Sequence, residues 1–117
     1  MGTDLLQDRV ARNESRFREI NERIEPSNAA HHWVDPPFPD WICECARPDC
    51  TVAVRLTIAE YETVRSEAAH FLVAPSDEHV VPEVERVIER TERYWVVEKA
   101  GVARDVSEDL DPRTDEE

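Results

Sequence analysis

All three cysteines of the chain lie within eight positions, in the segment WICECARPDC at residues 41–50. Cys43 and Cys45 are separated by one residue, and Cys50 follows after four more. An odd number of thiols cannot pair completely within one chain, and thiolates gathered in so short a stretch are typical zinc ligands. The segment therefore predicts a structural metal site with zinc as its ion.

The local backbone must bend to bring these thiols together. Two sulfurs on one zinc lie about 3.8 Å apart, whereas alternate side chains of a regular strand lie about 6.7 Å apart. We therefore expect a bend near Glu44. Pro48 and Asp49 favour a turn before Cys50. The segment predicts a strand, a metal knuckle and a second strand.

A closed structural zinc site needs a fourth ligand. His79 is the first choice, because it follows a short predicted strand, FLVAP at residues 71–75, that we expect beside the cysteine hairpin. Other residues remain open as alternatives: His70, His31, His32 and Asp49.

The composition limits the classes of function. The chain has 117 residues, which indicates one domain, and a formal net charge of −13, which disfavours direct contact with nucleic acids or anionic membranes. A protein partner with a basic surface fits this charge better. Only two glycines occur, which excludes glycine-rich phosphate loops. No apolar run is long enough for a membrane span, and the charged N-terminus favours a cytoplasmic location.

Four segments follow from the pattern of residues. Residues 1–25 are expected to form an amphipathic helix, 26–40 a proline-rich linker, 41–99 a compact α+β body and 100–117 an acidic, disordered tail. Pro26 is expected to end the helix. The predicted apolar stripe of the helix, with one polar member, is Leu6, Val10, Asn13, Phe17, Ile20 and Ile24. This stripe predicts docking onto the body or onto a partner, with a weak dimer through residues 4–25 as an alternative to a monomer.

Within the body, alternating residues predict a strand over 51–58, with Val52, Val54, Leu56 and Ile58 on one face. Thr57 and Glu60 have the spacing of a capping box, which predicts a helix that ends near Ala69. The segment 83–99 fits either strands or a helix, and its aromatic and β-branched residues favour two antiparallel strands, about 84–90 and 93–99. The fold class is α+β: a small antiparallel sheet with one packed helix, a long N-terminal amphipathic helix and a cysteine-rich zinc knuckle.

The chain resembles a group of short bacterial proteins, notably from actinobacteria, for which no function is known. The resemblance covers roughly residues 14–99. In that group a Pro-Gly-His follows the short strand, whereas here Pro75 and His79 are separated by three residues and no glycine. The segments that carry the resemblance are FREINERIE, CECARPDC, LTIAEYETVR, VAPSDEHV and ERVIERTERYWVVEK.

The sequence favours a non-enzymatic, zinc-stabilised protein-interaction module, with a regulatory role and with the N-terminal helix as its contact surface. One alternative is a metal-dependent enzyme, in which Glu44 acts as the base beside a catalytic zinc. A second is an acidic decoy that occupies a nucleic-acid-binding protein. A third is a thiol-based redox or metal sensor.

Overall fold

The computed structural model describes residues 2–30, 38–47 and 49–113. Within these ranges the chain forms two small antiparallel sheets and several helices, which confirms the α+β class. The helices are α1 (Gly2–Ala30), α2 (Ile58–Arg65) and α3 (Gly101–Asp109), with a 3₁₀ turn at Asp77–His79. The strands are β1 (Asp40–Ile42), β2 (Ala53–Arg55), β3 (His70–Val73), β4 (Glu85–Arg90) and β5 (Trp95–Lys99).

The two sheets enclose the main core. β1 pairs with β2, and β5 lies between β3 and β4, so the two predicted strands near 84–90 and 93–99 are confirmed. Trp41 and Tyr61 stack with ring centroids 3.9 Å apart, which joins β1 to α2. The long strand predicted over 51–58 is shorter, because Ile58 already begins α2.

The start of α2 agrees with the predicted capping box. The Thr57 hydroxyl accepts a hydrogen bond from the Glu60 amide at 3.0 Å, and the Glu60 carboxylate accepts one from the Thr57 amide at 2.8 Å. The helix ends at Arg65, earlier than predicted. His70 consequently opens β3 and does not close the helix.

The long helix α1 continues beyond its predicted end. Pro26 lies inside the helix and does not end it. A proline removes one helical hydrogen bond, but the next turn can still be helical. The side-chain amide of Asn28 donates to the Asp40 carbonyl at 3.1 Å and holds this last turn against β1. Of the predicted linker at 26–40, residues 31–37, including His31 and His32, lie outside the described residues, and Asp40 begins β1.

The buried face of α1 is also rotated from the predicted stripe. Leu6 and Ile20 are each 37% exposed, whereas the buried positions include Val10 together with several polar residues. Most of these polar side chains can be buried because residues from distant segments form hydrogen bonds or ion pairs with them. The buried residues of α1 are Val10, Ala11, Glu14, Ser15, Arg18 and Asn21.

The prediction of a disordered tail is wrong for residues 101–113. Helix α3 packs against α1 through the small buried residues Ala103 and Ser107. The Arg18 guanidinium donates to the Ser107 carbonyl at 2.8 Å, and the Gln7 side chain accepts from the Val102 amide at 3.0 Å. These contacts supply the burial that the acidic composition did not reveal.

Candidate metal centre

The cysteines lie in the loop that joins β1 to β2. The Cys43 amide donates to the Val52 carbonyl at 3.0 Å, which extends the pairing of the two strands beyond β1. The Cys50 amide donates to the Arg47 carbonyl at 3.0 Å, which closes the predicted turn. The hairpin thus places Cys43 on its entering arm and Cys50 on its returning arm.

His79 reaches the same place from the segment after β3. The Ser76 hydroxyl accepts from the Glu78 amide at 3.2 Å, and the His79 amide donates to the Ser76 carbonyl at 3.1 Å, so a single 3₁₀ turn fixes the histidine. Its Nδ1 atom lies 3.5 Å from Cys43 Sγ and 3.8 Å from Cys50 Sγ. Sulfur and nitrogen ligands of one tetrahedral zinc lie about 3.5 Å apart by simple geometry.

The four side chains form one compact, buried group. Cys43, Cys45, Cys50 and His79 are all buried, and their candidate ligand atoms all lie within 4.8 Å of one another. The three cysteines are free thiols, with no disulfide among them. A group of this composition and size can hold a metal ion. The structure therefore brings together all four residues that the sequence proposed as ligands.

The alternative fourth ligands have other positions. His70 lies on β3, where its Nε2 atom is 3.0 Å from a carboxylate oxygen of Glu98 on β5. Asp49 lies in the loop but is exposed. His31 and His32 fall outside the described residues.

The surroundings of the thiols favour a thiolate at Cys45. A hydrogen bond from the Cys43 thiol, followed by weaker contributions from His79 and the Arg47 amide, lowers the pKa of Cys45 to about 5. The same hydrogen bond, together with burial, raises the pKa of Cys43. The Ala74 amide donates to Cys43 Sγ at 3.2 Å, as backbone amides do around metal-bound thiolates. The cluster is thus prepared to carry negative charge, which a bound cation would neutralise.

Glu44 lies between Cys43 and Cys45 in the chain and is fully buried, and its carboxylate is held by groups outside the cluster. One carboxylate oxygen accepts from the Leu72 amide at 3.1 Å, and the other accepts from the Asn21 side chain at 2.8 Å. Burial raises the pKa of Glu44 to about 7, although the Asn21 hydrogen bond opposes this shift. Both oxygens are occupied in supporting the loop, so this carboxylate is unsuited to the role of catalytic base.

Asn21 of α1 holds the hairpin from the other side. Its amide nitrogen donates to the Ile42 carbonyl and its oxygen accepts from the Ile42 amide, both at 2.8 Å. These two hydrogen bonds take the place of those that a neighbouring strand would make with the Ile42 backbone on this edge of β1. Sequence reasoning missed this residue, because a polar residue outside the apolar stripe of a helix gives no signal of burial.

A second buried polar group lies under α1. The Lys99 ammonium contacts the carboxylates of both Glu14 and Glu85, and all three side chains are buried. Burial raises the pKa of Glu85 to about 8, and a nearby negative charge on Cys45 adds to the shift. Burial also lowers the pKa of Lys99. This group, which we call the lysine triad, was not foreseen, since its members are separated by up to 85 positions in the chain.

Comparisons of the chain with protein-family models, with curated proteins and with solved structures find no match. None of the helices in the described ranges combines the length and the apolar composition that crossing a bilayer requires. The geometry of the cluster is therefore the main basis for a functional proposal.

Proposed function

We propose that this protein is a non-enzymatic, zinc-stabilised module for protein interaction, in which Cys43, Cys45, Cys50 and His79 hold one zinc ion. The observation that supports it most directly is the convergence of the four ligand atoms within 4.8 Å. Three thiolates and one imidazole form a ligand set that suits zinc in a tetrahedral structural site.

The surroundings of the cluster favour a structural role over a catalytic one. A catalytic zinc keeps one coordination position open for water, whereas four protein ligands close the site. All four side chains are buried, and the oxygens of the neighbouring Glu44 are engaged by Asn21 and Leu72. The ion would fasten the β1–β2 hairpin to the turn after β3 and so join the two sheets.

The outward face of α1 is our candidate contact surface. Because the polar face of this helix packs against the body, its other side is left to solvent with Leu5, Leu6 and Ile20 exposed. Deleting residues 1–25 would remove Glu14, Arg18 and Asn21 from the core, so the deletion would unfold the body. Surface substitutions on α1 are the appropriate way to map a partner. A regulatory role and a cytoplasmic location remain part of this proposal.

The test is the metal content of untagged protein purified without added metal, measured by elemental analysis beside protein concentration. We expect one zinc per chain. A Cys45→Ser variant should lose the ion and much of its stability, because one of four ligands is removed.

The matched pair His79→Gln and His70→Gln tests the fourth ligand. Both replace a histidine near β3, but only His79 lies in the cluster. His79→Gln should weaken zinc retention against a competing chelator by about tenfold or more, and His70→Gln should not change it. Wild-type protein that is folded and contains no metal would contradict the proposed function.

A further inference from the structure

A surface cleft of about 330 Å³ lies between α2 and the β4–β5 hairpin, and none of the four candidate metal ligands lines it. This volume is at the lower end of the range for ligand pockets, so the cleft can receive one side chain but not a large cofactor. Its apolar lining includes the buried Val64 and Val96 and the 41% exposed Ile88. Its polar lining includes Glu60, His70, Glu89 and Tyr94.

A β-bulge in β4 brings a carboxylate to this cleft. In the pairing of β4 with β5, Val87 is opposite Val97. The next pair joins Glu89 with Val96, so Ile88 is an extra residue on β4. In a regular strand Ile88 and Glu89 would point to opposite faces of the sheet, whereas here both line the cleft. The bulge therefore places a charged side chain beside an apolar one at the same site.

Two other charged or titratable groups of the lining already have partners. The Glu60 carboxylate pairs with the Arg93 guanidinium at 2.6 Å. The Nε2 atom of His70 lies 3.0 Å from a carboxylate oxygen of Glu98, so a charge on this imidazole is balanced within the pair. These two pairs leave little net charge of their own in the cleft.

Glu89 differs from them. It is exposed, and among the described residues its carboxylate has no hydrogen-bond or ion-pair partner. Burial, followed by the negative charges of Glu60 and Glu89, raises the pKa of Tyr94, so the tyrosine hydroxyl stays neutral beside them. The cleft thus combines an apolar lining with one carboxylate that lacks a cation.

We propose that this cleft binds a basic side chain, lysine or arginine, of a protein partner, with the charged end at Glu89 and the apolar stem against Ile88 and Val96. Both side chains combine a long apolar stem with a cationic end, which matches this lining. The formal net charge of −13 attracts basic proteins to the surface. A protein partner would also cover Ile88, whereas a free amine would leave it exposed. The inference rests on the proposed function, since it gives the interaction module a contact site and states the chemistry of its partner.

The experiment follows backbone amide signals by NMR while the protein as purified is titrated with the peptide acetyl-Ala-Ala-Lys-Ala-Ala-amide at low ionic strength. The zinc content of the same sample is measured. The signals that move most should be those of Ile88, Glu89 and Val96, with a dissociation constant in the millimolar range, because a single partly exposed contact is weak. The same peptide with norleucine in place of lysine has an apolar stem without a charge and should bind about fivefold more weakly.

Two variants with the same change of charge locate the site. Glu89→Gln should weaken binding of the lysine peptide by about fivefold, because it removes the unpaired carboxylate. Glu83→Gln changes an exposed carboxylate outside the cleft and should leave the dissociation constant unchanged. Amide signals that stay in place away from each substitution confirm that both variants are folded.

Equal binding of the lysine and norleucine peptides would overturn the recognition of a basic side chain. Equal losses in Glu89→Gln and Glu83→Gln would show a general attraction to an acidic surface and would overturn the site. Protein that contains one zinc per chain but binds no lysine peptide would overturn the cleft as a contact site and leave the zinc module intact. Folded protein without metal that binds the peptide through Glu89 would support the cleft and contradict the zinc part of the proposed function.

Discussion

The cysteine cluster and the lysine triad both bury hydrophilic side chains, and they differ in the source of the compensating charge. The cysteine cluster gathers three thiols and an imidazole, with candidate ligand atoms within 4.8 Å of one another, and includes no lysine or arginine. The lysine triad places the Lys99 ammonium between Glu14 and Glu85 and so supplies its own cation. Buried charge is tolerated only where it is neutralised and hydrogen-bonded. On the proposed function, the first region would depend on an ion from solution, whereas the second carries its cation in the chain and depends on the protonation of its members.

The two regions are linked by α1. Glu14 joins the triad, and Asn21, two turns further along the helix, supports the hairpin that carries the cysteines. Arg18 lies between them, with its guanidinium 4.1 Å from the centre of the Phe71 ring. The sequence predicts α1 as a separate N-terminal helix, but in the structure it supports the candidate metal site.

The largest expected effect is that of metal removal. A strong chelator should lower the free energy of unfolding by more than about 5 kcal/mol, which is the whole stability of many small domains. Thermal melting followed by circular dichroism measures this effect. The same chelator already saturated with zinc should leave the melting curve unchanged. Equal melting curves with the free and with the zinc-saturated chelator would show that a metal ion in the cluster does not contribute to stability.

The next effect is that of breaking the triad. Lys99→Met leaves the buried Glu14 carboxylate and, above the raised pKa of Glu85, a second buried carboxylate without their cation, so it should cost about 3–5 kcal/mol in urea unfolding at alkaline pH. Adding Glu85→Gln to this variant should recover part of the loss, since one surplus carboxylate is then neutral. If the free energy of unfolding of Lys99→Met is within about 1 kcal/mol of the wild-type value, the triad does not require its cation.

A smaller effect is expected at the link between the regions. Asn21→Ala removes the hydrogen bonds to Ile42 and leaves one Glu44 oxygen without its donor, so unfolding should become easier by about 2–3 kcal/mol. Zinc should also transfer faster to a chelator. Asn13→Ala is the matched control on the same helix, because its side chain makes one long bond of 3.4 Å to the Ala46 carbonyl. Equal losses in the two variants would show that Asn21 has no special role.

The last effect concerns the dependence of stability on pH. The pKa of Glu85 is raised to about 8 by burial, so the folded state holds a proton that the unfolded state releases near pH 4.5. The contribution of Glu85 to the free energy of unfolding is therefore greatest below pH 4.5 and declines as the pH rises towards 8. A Glu85→Gln variant should therefore show a flatter dependence of the unfolding free energy on pH between 5 and 8. Parallel profiles for wild type and variant would show that Glu85 does not titrate in this range.

The sequence predicted the parts of the molecule whose chemistry depends on residue type and short spacing. Cys43, Cys45 and Cys50 are close in the chain, and Thr57 with Glu60 forms a local cap, so both features could be recognised without the fold. His79 was proposed from its place after a strand, and it lies in the cluster.

The errors came from burial that depends on distant partners. Arg18 is typical of a solvent-exposed helix face, yet it is buried because carbonyl groups of Ala68 and Ser107 accept its hydrogen bonds. The acidic composition of residues 101–113 predicts disorder, yet Ala103 and Ser107 are small enough to let α3 pack closely against α1. Neither partner is visible in a local window of sequence.

X-ray absorption at the zinc edge of the protein as purified tests the central claim most directly, because it reports the ligands of the metal. The account predicts about three sulfur ligands near 2.3 Å and one nitrogen ligand near 2.0 Å. His79→Gln should lose the nitrogen contribution, whereas His70→Gln should keep the wild-type spectrum. A spectrum with only oxygen and nitrogen ligands, or protein without zinc to measure, would contradict the account.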